Sequence, residues 1–121
     1  MNYADRNKLG KIAEDRAALY YIEMGYLILK RNYRLQNGEI DIIAKGLDEI
    51  VFVEVRSRTG VELGSPSETI DRRKIMRIRK TAVRYLYETA QSSMVCRFDF
   101  IGVIFNDLGQ IIDIEHIPEA F

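Results

Sequence analysis

Several residue types that mark particular classes of protein are rare or absent in this sequence. Its 121 residues include one cysteine, two prolines and no tryptophan. A lone thiol, Cys96, can form neither an intramolecular disulfide nor a zinc cluster of several cysteines. No apolar run approaches the roughly 20 residues that cross a bilayer, and residues 1–10 lack the apolar stretch of a secretory signal. We therefore expect one cytoplasmic domain over residues 1–121, without a membrane segment.

No excess of either charge is present, because 18 basic side chains balance 18 acidic ones. This balance argues against a protein whose whole surface wraps nucleic acid. The distribution is uneven, since residues 72–84 contain basic side chains and no acidic one. At about 100° per residue, one helix face carries four of them, the basic ridge: Arg73, Arg77, Lys80 and Arg84. The ridge is either a solvated surface or a surface that binds a phosphate backbone, and we favour the second.

Hydrophobic periodicity and turn residues predict two helices and five strands. The first helix covers residues 4–24 and ends at Gly25, and the second covers residues 65–89. A capping box of Ser65 and Glu68, with Pro66 in the first helical position, begins the second helix. The predicted strands cover residues 26–35, 39–44, 49–58, 95–105 and 110–116.

Loop lengths then predict how the strands are arranged. Short loops join the first three strands into an antiparallel meander, with turn chemistry at Asn37 and Gly38, where asparagine and glycine can adopt positive φ. The second helix is a crossover, which makes the third and fourth strands parallel neighbours. The predicted fold is α/β, a mixed five-stranded sheet flanked by helices in the order αβββαββ.

Acidic residues occur in the middle of this predicted sheet. Because side chains alternate along a strand, Ile40 and Ile42 are expected on one side of the second strand. Glu39, Asp41 and Ile43 are expected on the other side. The second strand therefore presents carboxylates among buried apolar residues.

The third strand adds a carboxylate and a base to the same region. The apolar side chains of the second and third strands stay buried only in registers that place Glu54 opposite Asp41 or Glu39. Carboxylates opposite one another destabilise a sheet by a few tenths to about 1 kcal/mol, and a divalent cation with oxygen ligands is the natural counter-charge. Arg56 follows on the same face, about 6 to 7 Å along the strand. Two acids followed by a base are typical of metal-assisted phosphodiester hydrolysis, in which the base orients the nucleophile or stabilises charge.

Two sequence blocks carry a family resemblance: GEIDIIA at residues 38–44 and VFVEVRSR at residues 51–58. Together they resemble the PD-(D/E)xK nuclease superfamily and, more narrowly, the uncharacterised bacterial YraN-like family. The resemblance runs through most of the chain and includes Glu14 in the first helix and Lys74 in the second. It implies a single domain with a restriction-endonuclease-like fold, similar to archaeal Holliday junction resolvases.

The resemblance also implies roles for the residues of the site. It makes Asp41 and Glu54 the ligands of Mg²⁺ or Mn²⁺, with Glu39 and Glu14 as assisting acids. Arg56 stands where the superfamily usually has lysine. An arginine stays protonated and cannot act as a general base, but it can bind phosphate or stabilise charge. The residues expected to contact DNA are the basic ridge together with Arg58 and Lys74.

We therefore expect a metal-dependent endonuclease that hydrolyses phosphodiester bonds in branched or otherwise structured DNA. A homodimer would supply the two symmetric sites that junction cleavage requires. The alternative is a nucleic-acid-binding module of the same fold with weak or lost catalysis. A third class is a structural protein whose acids pair with Arg56 and Arg58. Arg97 and Asp99 are expected to share a strand face and could pair. Four tyrosines could stack bases, but we expect them in the core: Tyr20, Tyr21, Tyr26 and Tyr33.

Overall fold

A computed structural model of the chain describes residues 3–59 and 71–121. Its elements are, in chain order, α1 (Tyr3–Glu23), β1 (Leu27–Leu35), β2 (Gly38–Lys45), β3 (Glu49–Thr59), α2 (Arg72–Glu88), β4 (Val95–Phe105) and β5 (Ile111–Ile117). The strands form one sheet in the order β1-β2-β3-β4-β5. Strands β3 and β4 are parallel, and the other neighbours are antiparallel. The predicted α/β fold with the order αβββαββ is confirmed.

The two helices cover opposite faces of the sheet, which explains why the middle strands are apolar on both sides. On the α1 face, buried side chains of the helix pack against Val51 and Val53 of β3. On the α2 face, buried helix residues pack against Ile50 and Phe52 of the same strand. A strand that is covered on both faces has an almost continuous apolar sequence, as residues 50–53 do.

Helix α1 ends where the sequence predicts. Gly25 has a φ of 92°, in the left-handed region that glycine enters without steric cost. Among residues 3–59 and 71–121, no helix combines the length and the apolar character needed to cross a bilayer.

Helix α2 begins later than the sequence predicts. Asp71 has an extended backbone, with φ −98° and ψ 171°, so a helix cannot continue through it. Its carboxylate accepts a hydrogen bond of 2.8 Å from the backbone N–H of Lys74, which makes Asp71 the N-cap. The prediction of one helix over residues 65–89 is therefore wrong at Asp71. The predicted capping box of Ser65, Pro66 and Glu68 lies outside the described residues.

The turn between β1 and β2 is present, but glycine is required at position 38 for a reason other than positive φ. Neither Asn37 nor Gly38 has a positive φ, so that expectation is wrong. A Cβ atom at Gly38 would instead clash with the Thr81 hydroxyl and lie 3.1 Å from the Arg77 carbonyl oxygen. Glycine thus lets the first residue of β2 approach α2 closely, and this approach fixes the helix over the end of β2.

Strand β2 does not alternate strictly along its length. Ile42 packs on the α1 face, whereas Ile40 and Ile43 both pack on the α2 face. The predicted common side for Ile40 and Ile42 is therefore wrong. The ladder between β2 and β3 ends at the pair Ile42 and Val53. Strand β2 stays paired with β1 through Ile40 and Ile42, so the change in direction coincides with the loss of its β3 partner alone.

Candidate functional site

The carboxyl groups of Asp41 and Glu54 lie together where β2 and β3 separate. They occupy the next position after the last ladder pair, Ile42 and Val53. Asp41 Oδ2 accepts a hydrogen bond of 2.7 Å from the backbone N–H of Val55, in place of a ladder bond. Burial raises the pKa of Asp41 well above its ordinary value, and the hydrogen bond and charge of Glu54 raise it further. The pair therefore favours a bound cation or a shared proton.

Glu54 is the most deeply buried acid of this site, with only 5% of its side chain exposed. Lys74 Nζ lies 2.6 Å from Glu54 Oε2, and Arg56 approaches the same oxygen to 3.9 Å. Oε2 nevertheless makes no hydrogen bond of acceptable geometry. Lys74 lies at ion-pair distance from Oε2, and a carboxylate has further lone pairs that a second cation can use.

A cavity of about 160 Å³ opens on the carboxylate pair. Its lining includes Asp41 and Glu54 together with Glu39, Lys74 and Arg77. The cavity thus offers carboxylate oxygens on the strand side and cationic groups on the α2 side. This arrangement suits a small cation together with an anionic group such as phosphate.

The two predicted assisting acids do not join the pair. Glu39 Oε1 lies 3.1 Å from Arg34 Nε, and Glu14 Oε1 accepts a hydrogen bond of 2.8 Å from Asn32. Both line a second cavity of about 450 Å³ beside α1, and Glu39 borders both cavities. Glu14 contributes to the raised pKa of Asp41 through its charge, after the larger effects of burial and Glu54. Within residues 3–59 and 71–121, no three acid, histidine or cysteine side chains form a metal-holding cluster.

The donor set fits a divalent cation that is held by two carboxylates. Mg²⁺ is usually bound through one or two carboxylates and keeps several waters in its shell. Glu54 Oε2 is buried without a well-formed hydrogen bond, and the Asp41 carboxyl lies beside it. Asp41 and Glu54 could therefore hold Mg²⁺ or Mn²⁺, and Glu39 lines the same cavity.

The basic ridge lies on the exposed side of α2, and all four of its side chains are exposed. The opposite side is buried against the sheet through Ile78, Thr81, Ala82, Tyr85 and Leu86. Arg84 Nε also donates a 2.7 Å hydrogen bond to Glu88, which lies one turn beyond the acid-free stretch. Of the other two predicted DNA contacts, Arg58 is partly exposed on β3, and Lys74 belongs to the carboxylate site.

A separate buried network lies on the α1 face, around Asp99. Its carboxylate accepts hydrogen bonds of 2.7 Å from the Tyr21 hydroxyl and 2.8 Å from Arg97 Nε. His116 Nε2 lies 2.8 Å from the same carboxylate. Burial would raise the pKa of Asp99, but the hydrogen bonds from Arg97, His116 and Tyr21 outweigh it and hold the pKa below the ordinary value. The pairing of Arg97 with Asp99 is confirmed.

Sequence reasoning missed two features of these clusters. It assigned Lys74 to DNA contact only, although its position on the first turn of α2 brings it to Glu54. The sequence also gives no sign that His116 belongs to the Asp99 network, because the partners of this residue come from other parts of the chain. Tyr21 is fully buried, as expected for a core residue.

Comparison with known proteins identifies the family. Residues 13–103 match the family described as Uncharacterised protein family UPF0102. A UPF0102 protein of Pelotomaculum thermopropionicum is 42% identical over 116 residues, which covers 96% of this chain and 97% of the relative. Relatives from Moorella thermoacetica (41% identity; 96% and 97% covered) and Clostridium botulinum (45% identity; 100% and 98% covered) also carry the name UPF0102 protein. The chain therefore belongs to the uncharacterised protein family UPF0102, the YraN-like family that the sequence blocks resemble.

Proposed function

We propose that the protein is a metal-dependent endonuclease that hydrolyses phosphodiester bonds in structured DNA. The observation that carries this proposal is the buried carboxylate pair of Asp41 and Glu54, which faces a cavity beside Lys74 and Arg77. Glu54 Oε2 lacks a well-formed hydrogen bond, and the pKa of Asp41 is raised by burial and by Glu54. A raised pKa of a buried carboxyl in a cavity is a feature of functional sites, and a divalent cation would offset the repulsion between the two carboxylates.

Each residue of the site then has a chemical task. When bound, Mg²⁺ or Mn²⁺ would neutralise the phosphate and lower the pKa of a water molecule. The hydrogen bond from Val55 fixes the orientation of Asp41. Lys74 can donate up to three hydrogen bonds and orient the attacking water. Arg56 grips a phosphate or stabilises the charge that develops in the transition state.

The proposal extends to the partner molecule. The basic ridge leads away from the cavity along α2 and would follow a phosphate backbone, since Arg77 belongs to both. Hydrolysis at a symmetric branch requires two sites, so a homodimer is part of the proposal. The exposed, unpaired thiol of Cys96 is compatible with the reducing cytoplasm, which we take as the place of action.

One observation favours a second candidate, a nucleic-acid-binding module without catalysis. Lys74 Nζ already compensates the charge of Glu54 at 2.6 Å. Arg56 replaces the usual lysine of the superfamily and cannot lose its proton. A protein that retained the fold and the basic ridge but had lost cleavage would have these features.

The metal site is tested first by thermal unfolding with and without Mn²⁺ or Mg²⁺. Ligand at 100 times its Kd should stabilise the wild type by about 2.7 kcal/mol, and Asp41→Asn should remove that gain. The variant keeps an acceptor for the Val55 N–H. Without metal it should be more stable than the wild type at neutral pH. Because the folded-state pKa of Asp41 is raised, its ionisation lowers stability as the pH rises through that pKa.

The matched control is Asp113→Asn, which changes an exposed acid on β5. This variant should gain as much stability from metal as the wild type does. If the Asp41 variant gains equally, the assignment of Asp41 as a ligand is wrong.

Cleavage is tested on labelled junction, flap, single-stranded and duplex DNA with Mg²⁺ and with Mn²⁺. The wild type should nick structured DNA in a metal-dependent manner, and Asp41→Asn should not. A protein that binds metal and DNA but cuts none of these substrates would be the binding module. Failure to bind either metal or DNA would indicate the structural class.

The basic ridge is tested by the salt dependence of DNA binding. Changing Arg77 and Lys80 to alanine should weaken binding to all sequences about equally. The slope of log K against log salt should become shallower by nearly two units, because each phosphate contact releases about 0.9 counterion. Lys8 and Lys30 are exposed elsewhere, and changing both to alanine should leave the slope unchanged. An unchanged slope for the ridge variant would mean that the ridge is only a solvated surface.

A further inference from the structure

A groove of about 550 Å³ separates the β1–β2 hairpin from α2. Leu35 lines it from the hairpin, and Val83 and Tyr87 line it from the helix. Tyr87 is 77% exposed, and Val83 is 67% exposed. Three members of the basic ridge line the same groove: Arg77, Lys80 and Arg84. The groove therefore combines an apolar, aromatic surface with a row of cations.

The groove is continuous with the carboxylate site. Gly38 and Arg77 line both the groove and the 160 Å³ cavity that contains Asp41 and Glu54. A strand whose phosphate lay at the carboxylate pair would thus enter the groove with its next nucleotides. The ridge would follow its phosphates, and the apolar wall would face its bases.

Tyr87 differs from the neighbouring tyrosines because no hydrogen bond or ring contact among the described residues holds its ring. Tyr85, two residues earlier, is buried and packs its ring against Tyr33 and Phe52. The Tyr33 hydroxyl donates a hydrogen bond of 2.9 Å to Glu88. Within the described part of the chain, the Tyr87 side chain has neither a hydrogen bond nor a ring contact. Its ring is therefore free to take a partner from outside the protein.

We propose that this groove is a subsite for unpaired DNA next to the scissile phosphate, with a base stacked on Tyr87. The inference rests on the proposed function and deepens it. Proteins bind single strands by combining a cationic track with aromatic side chains on which bases stack. In a duplex the faces of the bases are covered by their neighbours, so an aromatic wall has nothing to contact. The volume lies in the range of about 300–1,000 Å³ that small-ligand sites occupy, which suits a nucleotide.

The substrate class follows from this geometry. The cut would fall beside a single-stranded segment, as in a flap, a fork or a gap, and continuous duplex would be a poorer substrate. Charge and stacking act at different places in the groove. Ridge residues contribute to binding of any strand, whereas Tyr87 contributes only where a base is unpaired.

Binding to short labelled DNA, measured by fluorescence anisotropy without divalent metal, tests the inference. Tyr87→Ala should weaken binding of a single strand by about tenfold or more, the loss expected for one stacked base. It should leave binding of a duplex of the same length nearly unchanged. Tyr87→Phe keeps the ring and should bind the single strand as the wild type does. Leu108→Ala, at a residue that is 84% exposed and remote from the groove, is the matched control.

A direct contact is tested by photocrosslinking to a strand that contains 5-iododeoxyuridine. Trypsin releases residues 85–97 as one peptide, whose tyrosines are Tyr85 and Tyr87. Because Tyr85 is only 8% exposed, the adduct should map to Tyr87. An adduct on another peptide, or equal losses for single strand and duplex in Tyr87→Ala, would overturn the inference. Since both assays omit metal, their outcome is independent of the Asp41→Asn test of the metal site.

Discussion

Replacing Asp99 with alanine is expected to destabilise the folded protein by about 3 kcal/mol. Asp99 is fully buried, and its removal leaves the Tyr21 hydroxyl, His116 and Arg97 without their shared acceptor. The loss falls at the lower end of the range for a broken buried ion pair, because Arg97 keeps a contact of 2.7 Å with Glu49. Urea unfolding followed by far-UV circular dichroism measures the change.

Two milder substitutions give reference values for this loss of unfolding free energy, one in the same network and one at an exposed acid. Tyr21→Phe removes one donor to a charged acceptor and should cost about 1.5 kcal/mol. Asp113→Ala changes an exposed acid and should stay within about 0.5 kcal/mol of the wild type. A loss below about 1 kcal/mol for Asp99→Ala would show that the network contributes little to stability.

The pH dependence gives a second readout of Asp99. Its pKa in the folded protein lies below the ordinary value of 3.8. The carboxylate therefore contributes stability above the unfolded-state pKa, and this contribution is lost as the pH falls through the folded-state pKa. Asp99→Asn has no such group, so its stability should fall less steeply in acid than that of the wild type.

Much of the fold could be predicted from the sequence because several boundaries have a local cause. Gly25 ends α1 in the left-handed region, and the long crossover makes β3 and β4 parallel. The apolar run at residues 50–53 indicates a strand that is covered on both faces. The neighbouring positions of Asp41 and Glu54 also followed, since burial leaves few registers for β2 and β3.

The remaining features depend on contacts between distant segments. The approach of Lys74 to Glu54 requires the position of α2 over the sheet, which the contact between Gly38 and Thr81 helps to fix. The loss of alternation at Ile40 depends on where pairing with β3 stops. The periodicity of a single sequence indicates neither the position of α2 over the sheet nor the residue at which pairing between β2 and β3 stops. The partners of Asp99 are likewise remote, with Tyr21 separated from it by 78 residues.

Lys74 changes how the site is interpreted, because it brings an ammonium group to the place where the sequence offered only Arg56. Its Nζ lies 2.6 Å from Glu54 Oε2, whereas Arg56 lies 3.9 Å from the same oxygen. A lysine is a compact charge with rotatable donors, and an arginine is a rigid fork suited to phosphate. We therefore propose that the tasks are divided, with Lys74 orienting the water and Arg56 holding the phosphate.

If this division is correct, Lys74→Met should lower single-turnover cleavage at saturating Mn²⁺ by about 10²-fold, the cost of a misplaced reacting group. Arg56→Ala should lose a comparable factor, and Arg56→Lys should keep or raise cleavage while it weakens DNA affinity. Metal binding should survive all three changes, since neither residue is a ligand. Lys30→Ala, at an exposed lysine on β1, controls for the loss of one positive charge.

The double variant Lys74→Met with Arg56→Lys decides whether the tasks are separate. A new lysine at position 56 that takes over the water should restore much of the cleavage lost in Lys74→Met, and the two changes would not be additive. If Arg56→Lys restores no cleavage in the Lys74→Met background, the two effects are additive and position 56 acts only on the phosphate. If Lys74→Met cleaves as fast as the wild type, Lys74 merely compensates Glu54 in the metal-free protein. If the wild type itself cuts no DNA although it binds metal, the fold serves as a binding module, in which Lys74 and Arg56 act only as cations.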